Sequence, residues 1–197
     1  MALKKNTLVI FTSDNGPWIA YGNHAGTTPF REAKATSFDG GKRVACIMKY
    51  PGHIAANTQS NKTLCAIDIM PTLARLAGAD LPEAPIDGKN VIDLITGKKD
   101  ARQPHKYYAL SIGKQLQAVI SSDGRWKLHL PHQYRTLDQP GADGKPGPTR
   151  LKKIDLSLFD LNADPKESVN VIKNHPEVAK KLQSFAKEHQ QKFYPQK

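Results

Sequence analysis

Little in this sequence could serve a membrane, a nucleic acid or a disulfide framework. No apolar run approaches the roughly 20 consecutive residues of a spanning helix, so no bilayer crossing is expected. Two cysteines, Cys46 and Cys65, could make at most one bridge, which excludes a disulfide scaffold. Aromatic residues are only 7% of the chain and do not interleave with the basic ones, so no stacking platform for bases is expected. The first residues lack the charged, apolar and small-residue stretches of a secretory leader. Acidic residues are scarce as well: 18 Asp and Glu against 29 Lys and Arg leave a net charge of +11. The lysines fall in scattered pairs such as Lys4-Lys5, Lys98-Lys99, Lys152-Lys153 and Lys180-Lys181, which reads as a basic surface rather than a nucleic-acid site. A bias toward anionic substrates stays open.

What remains is globular. A chain of 197 residues, 39% of them hydrophobic, can bury a core and is too apolar to be disordered. Fourteen glycines and fourteen prolines without a period point to many loops.

The pattern changes along the chain. Thr7–Thr12 is strand-like and runs into the polar turn Ser13-Asp14-Asn15-Gly16-Pro17, at the end of a strand where ligands gather in open α/β sheets. A long loop to Gly41 leads to a second strand, Val44–Tyr50. A helix is expected from Asp68 as N-cap, with Leu73, Leu76 and Ala77 on one face and Gly78 past its end. Val91–Ile95 reads as a short helix. Beyond residue 104 come short strands at 107–110, 116–120 and 126–130, with Ser122-Asp123-Gly124 as a hairpin turn. A loop over 138–150, a strand at 157–161 and a final helix from about Pro176 follow, the helix with Val178, Leu182 and Phe185 at helical spacing. The expected architecture is an α/β stretch over 1–104, then a small antiparallel sheet capped by a helix over 105–197. Tyr107-Tyr108 reads as sheet packing, and His129 and His132 as a surface strand end rather than a metal pair.

Two segments carry possible chemistry. Asp14 and Asn15 offer a carboxylate and a carbonyl oxygen, hard ligands suited to Ca²⁺ or Mg²⁺, although the same letters make an ordinary turn. The loop Arg31–Arg43 is polar, holds Lys34 in its middle and ends in the tight turn Gly40-Gly41. A lysine near a metal can neutralise an oxyanion, although a charged loop is often only solvated.

In order, Ser13-Asp14-Asn15-Gly16, Arg31-x-x-Lys34-x-Thr36 and Gly40-Gly41-x-Arg43-Val44 resemble the sulfatase family. The likeness continues through Asp68-Ile69-Met70-Pro71-Thr72-Leu73, Asp87-Gly88, and Leu158-Phe159-Asp160-Leu161-x-x-Asp164-Pro165-x-Glu167. The chain looks like the C-terminal part of an arylsulfatase, and the resemblance implies a partial alkaline-phosphatase-like α/β domain followed by the small sheet and helix. It implies calcium on Asp14 and Asn15, sulfate contact by Lys34, and His24 lining the substrate pocket. It implies an aryl or carbohydrate sulfate as substrate, the N-terminal half of the enzyme as partner, and export to a periplasmic or extracellular location. Ala33, Ala35 and Ala45 stand where the family usually has Gly, Gly and Pro, and Lys42 where it has an apolar residue.

The family's nucleophile motif, C/S-x-P-x-R, is absent: Cys46 precedes Ile-Met-Lys and Cys65 precedes Ala-Ile-Asp. A hard cation takes 6 to 8 oxygens, so Asp14 and Asn15 alone leave it mostly unheld. The chain by itself is therefore expected to be inactive. Two alternatives stand beside this reading: a phosphate or phosphonate ester hydrolase of the same superfamily, and a non-catalytic basic domain that binds anionic glycans.

Overall fold

A computed structural model of the chain describes residues 6–24 and 28–194, leaving aside the side chains of Asn23 and His24. Grouped by spatial proximity, the chain forms two compact units. One holds the described residues up to Asp14 together with Ala45–Lys106; the other holds Asn15–Val44 with Tyr107 onward. Residues 15–44 thus pack with the C-terminal part. The cause is a set of buried charges described below, which ties this excursion to residues far downstream.

In the first unit, β1 (Val9–Thr12) pairs antiparallel with β2 (Cys46–Lys49), Val9 opposite Lys49 and Thr12 opposite Cys46. The Thr12 hydroxyl donates to the Ala45 carbonyl at 3.0 Å and closes the pair at the end near Asp14. Within this unit the strands leave large apolar side chains in water: Phe11 is 68% exposed and Ile47 65%. The helix expected after Asp68 is present over Ile69–Ala77, ended by Gly78 at φ 66, which supplies the left-handed conformation of a helix C-terminus. Asp68 is not its side-chain cap. Its Oδ1 instead accepts the Lys89 N–H at 2.8 Å and meets His105 Nε2 at 2.7 Å, because a buried carboxylate needs stronger partners than one frayed amide. The short helix near residue 92 spans Ile92–Ile95.

In the second unit, a four-stranded antiparallel sheet runs in the order β3 (Tyr107–Ile112), β4 (Gln115–Ser121), β5 (Trp126–His129), β8 (Ser157–Asp160). The β4–β5 connection is the expected Ser-Asp-Gly turn, with Gly124 at φ 77 and its N–H donating to the Ser121 carbonyl at 2.8 Å. A long helix, Pro176–Phe193, packs on one face of this sheet through Ala179, Leu182 and Ala186, against Leu116, Val119, Leu128 and Leu158. Side chains alternate faces along a strand. Lys127, His129 and Phe159 therefore point to the opposite face, toward a second cluster of Phe38, Tyr134, Ile154, Phe159 and Leu161. That cluster is completed by a hairpin absent from the sequence expectation, β6 (His132–Leu137) with β7 (Thr149–Ile154). Among the described residues no helix is long and apolar enough to cross a membrane.

Candidate functional site

The loop bearing Lys34 is held with little freedom. Ala33 and Thr36 close a tight turn: the Thr36 N–H donates to the Ala33 carbonyl at 3.2 Å and the Thr36 hydroxyl to the same oxygen at 2.8 Å. Ala35, third in that turn, has φ 72, the left-handed position that a type II turn reserves for glycine. The turn presents the exposed Lys34 side chain at its tip, while the Lys34 N–H donates to the Pro17 carbonyl at 3.1 Å. The Lys34 ammonium lies 5.3 Å from the centre of the Trp18 ring.

Beneath the turn, a short helical turn over Asp39–Lys42 fits only because Gly40 and Gly41 lack side chains. A Cβ on Gly40 would stand 2.1 Å from the Glu32 carbonyl oxygen, and one on Gly16 would stand 1.8 Å from that of Gly40. The Gly16 N–H donates to the Gly41 carbonyl at 3.1 Å and the Gly40 N–H to the Arg31 carbonyl at 2.9 Å. The Gly-Gly motif therefore serves close backbone packing that seats the loop.

The loop is fastened from below by buried charge. Lys127, on β5, has no exposed surface, and its ammonium donates to Asp39 Oδ1 at 2.8 Å and to Glu167 Oε1 at 3.1 Å. Glu167, fully buried, also accepts the Asp39 N–H at 2.7 Å and faces His129 Nε2 across 2.7 Å. The Glu167 backbone carbonyl accepts the Arg31 guanidinium at 2.6 Å. That guanidinium lies over the Phe38 ring and donates to the Tyr134 hydroxyl. Arg31 is thus spent on anchoring the loop and does not face outward with Lys34. Burial alone would push the Glu167 carboxyl up, but the Lys127 charge and the His129 hydrogen bond outweigh it and hold the group below the usual glutamate value. Burial drives His129 down to about 4, against the pull of Glu167.

His129 and His132 are correspondingly not the surface strand end that the sequence suggests. Both are buried and their rings stack at 5.5 Å between centres. Phe38 covers the other side of His129, with 4.6 Å between the ring centres. His132 Nδ1 donates to the Leu130 carbonyl at 2.7 Å, as a carbonyl can only accept. The two imidazoles thus lie in one aromatic stack with Phe38.

The remaining site residues fall as follows. Asp14 is exposed at the end of β1, with the Ser13 hydroxyl 3.5 Å from its Oδ1, and closes the first unit. Asn15, half-buried, opens the second. The His24 side chain lies outside the described residues. Among the described residues no three His, Cys, Asp or Glu side chains cluster so as to hold a metal ion.

Comparison with known proteins places this geometry. The sulfatase family model matches residues 2–79. Arylsulfatase A of Bos taurus is 32% identical over 184 residues, covering 91% of this chain. The chain belongs to the sulfatase family. N-acetylgalactosamine-6-O-sulfatase of Bacteroides thetaiotaomicron is likewise 32% identical, over 92% of the chain. The crystal structure of the PsFucS1 sulfatase from Pseudoalteromonas sp. superposes with a TM-score of 0.81 at 26% identity, covering 99% of this chain and 40% of that one. The chain spans 36% of the length of each of the two curated relatives named, a little over a third. The fold is that of a sulfatase α/β domain with its antiparallel sheet and terminal helix.

The charge set is hard to read from sequence. Glu167 stands in a quoted motif and Asp39 in the polar loop Arg31–Arg43, but Lys127 sits in a strand as one lysine among many. Its signal was a lysine flanked by Trp126 and Leu128 in an otherwise apolar strand, a pattern that calls for a buried partner.

Proposed function

We propose that this chain supplies part of the sulfate and metal site of a sulfuric ester hydrolase of the arylsulfatase type. The observation that carries the reading is Lys34: a cation at the tip of a turn whose base is fixed by buried ion pairs, so its charge is presented to solvent in a defined place. A preorganised cation facing oxyanion oxygens loses little freedom when charge develops on them, which is where electrostatic catalysis gains most. Lys34 would contact the sulfate group, and His24 would line the pocket. The substrate is a sulfate ester, aryl or carbohydrate.

Asp14 and Asn15 fit a hard divalent cation in kind, as consecutive carboxylate and amide oxygens, and we assign them to calcium. In number they fall short of its shell, so the further ligands and the nucleophile come from a longer polypeptide that includes the N-terminal half of the fold. When bound, such a cation polarises the sulfate oxygens. Asp14 and Asn15 would hold it, and Lys34 would contact the sulfate. The full-length enzyme would be exported, to the periplasm or outside the cell.

The test is hydrolysis of 4-nitrophenyl sulfate by the chain alone and by the chain joined to the segment encoded directly upstream. Turnover is expected only from the joined protein, and Lys34→Ala should cost it on the order of 100-fold, as for one oxyanion donor. Asp14→Asn should weaken calcium binding, while Lys34→Ala leaves it nearly intact. Turnover by the chain alone that Lys34→Ala abolishes would show a nucleophile within these residues and overturn the reading.

A further inference from the structure

Glu167 grips both legs of the loop that carries Lys34. Its Oε1 accepts the Asp39 N–H at 2.7 Å on the leg after Lys34, and its backbone carbonyl accepts the Arg31 guanidinium at 2.6 Å on the leg before. The legs are closed on each other by the Gly40 N–H, which donates to the Arg31 carbonyl at 2.9 Å. Two more bonds run from this closed loop to the residues that follow Asn15. The Gly16 N–H donates to the Gly41 carbonyl and the Lys34 N–H to the Pro17 carbonyl, each at 3.1 Å. Within the second unit one hydrogen-bonded frame therefore spaces Lys34 from Asn15, and Glu167 is the point where that frame is fastened to strand β5 through Lys127 and His129.

Two features set Glu167 apart from ordinary packing. It is wholly buried, yet both carboxylate oxygens are engaged, Oε1 by the Asp39 amide and the Lys127 ammonium and Oε2 by His129. Apolar side chains could fill the same space without desolvating charge, so the charged set is a poor choice for stability alone. The Glu167 backbone also stands at φ 51, in the left-handed region that favours glycine. The turn around it imposes that conformation: the Glu167 N–H donates to the Asp164 carbonyl at 3.1 Å, and Asp164 Oδ2 accepts the N–H groups of Ser168 and Val169 at 2.6 and 2.8 Å. Backbone strain of this kind persists only where the surroundings over-determine it, and it concentrates where a group must be held in one place.

We propose that Glu167 is a positioning residue for sulfate ester hydrolysis: it sets the place of the Lys34 turn relative to Asn15 and acts on the reaction through Lys34, without touching the substrate. The proposal rests on the reading of Lys34 as the sulfate contact. A cation stabilises charge growing on oxyanion oxygens only when it already stands in place, and a displacement of about 1 Å can cost on the order of 100-fold in rate. Because that charge grows on the way to the transition state, the loss falls on kcat more than on KM. A residue that acts only through Lys34 has nothing left to contribute once the ammonium is gone.

The test is a double-mutant cycle on 4-nitrophenyl sulfate in the joined protein, the chain together with the segment encoded directly upstream. Glu167→Asp keeps the charge that Lys127 needs but withdraws the carboxylate from the Asp39 amide by one methylene. It should lower kcat about tenfold and leave KM within about threefold. Lys34→Ala should lower kcat about 100-fold, and adding Glu167→Asp to it should change kcat by no more than about twofold. Leu182→Ala, in the core on the other face of the sheet, also lowers the urea midpoint but should leave kcat within about twofold, which separates position from stability. Should Glu167→Asp not fold, Glu167→Gln takes its place in the cycle with the same expectation. Wild-type kcat in Glu167→Asp, or a full further loss of about tenfold on the Lys34→Ala background, overturns the proposal while leaving the sulfate reading of Lys34 intact. A loss of kcat in Leu182→Ala equal to that in Glu167→Asp overturns it as well. If Lys34→Ala leaves kcat unaltered, or the joined wild type does not turn over, the sulfatase reading itself fails and takes this proposal with it.

Discussion

The buried His129 makes the second unit sensitive to acid by an amount that can be worked from its surroundings. Its Nε2–H is given to Glu167, its Nδ1 is buried with no hydrogen-bond partner, and Lys127 is nearby. Burial above all, with the nearby Lys127 charge added to it, disfavours a second proton on the ring, which is why the folded state holds the group at about 4 instead of 6.5. Below pH 6.5 the unfolded chain takes up a proton that the folded one refuses, so stability is full above 6.5 and falls as the pH drops toward 4. At 1.36 kcal/mol per unit, moving from about pH 7.5 to about pH 5 removes about 2 kcal/mol through this one group. His129→Gln keeps an N–H donor for Glu167 and does not titrate. Urea unfolding followed by the fluorescence of Trp126, the neighbour of Lys127 on β5, gives the stability of both proteins at the two pH values. The wild type should lose about 2 kcal/mol more than His129→Gln over this range. Other groups, His132 among them, contribute to both proteins and cancel in the difference. Equal losses would refute the reasoning, because the acid sensitivity would then lie elsewhere.

Three further outcomes are expected. Lys127→Ala leaves Asp39 and Glu167 as buried carboxylates without their ammonium and should cost about 3–5 kcal/mol in the same urea assay. Ala35→Gly relieves a left-handed alanine and should stabilise the chain by about 0.5–1 kcal/mol after the added freedom of the unfolded glycine, read as a higher urea midpoint. Lys34→Ala, on an exposed side chain, should leave that midpoint within about 0.5 kcal/mol of wild type, which separates its binding role from any role in folding.

Local signals were legible in the sequence where local physics decides the structure. The spacing of Val178, Leu182 and Phe185 after Pro176 marks the last helix, and Ser122-Asp123-Gly124 marks the β4–β5 turn. The β6–β7 hairpin escaped because its inward positions are polar or amphipathic. His132, Tyr134 and Thr136 alternate correctly, but the letters do not look like a core, and the partner strand carries the exposed Arg150, Lys152 and Lys153. The site followed the same rule. The turn at Lys34 and the close packing at Gly40 were visible as motifs, whereas their anchor needs Lys127 and Glu167, 88 and 128 positions from Asp39. Pairing of that range leaves no periodicity to read.

The three-way contact of Asp39, Lys127 and Glu167 also bears on how this sequence can drift over generations. One basic residue serves two acidic ones in a place that water does not reach. Neutralising Lys127 alone leaves two buried carboxylates without a cation, and neutralising either carboxylate alone strands hydrogen-bond groups where water does not reach, so single steps are penalised while coordinated replacements by apolar residues are open. Variation at the Lys34 loop should therefore be inherited together with variation in strand β5 and in the Asp164-Pro165-x-Glu167 segment, as one co-varying set that sequence distance conceals.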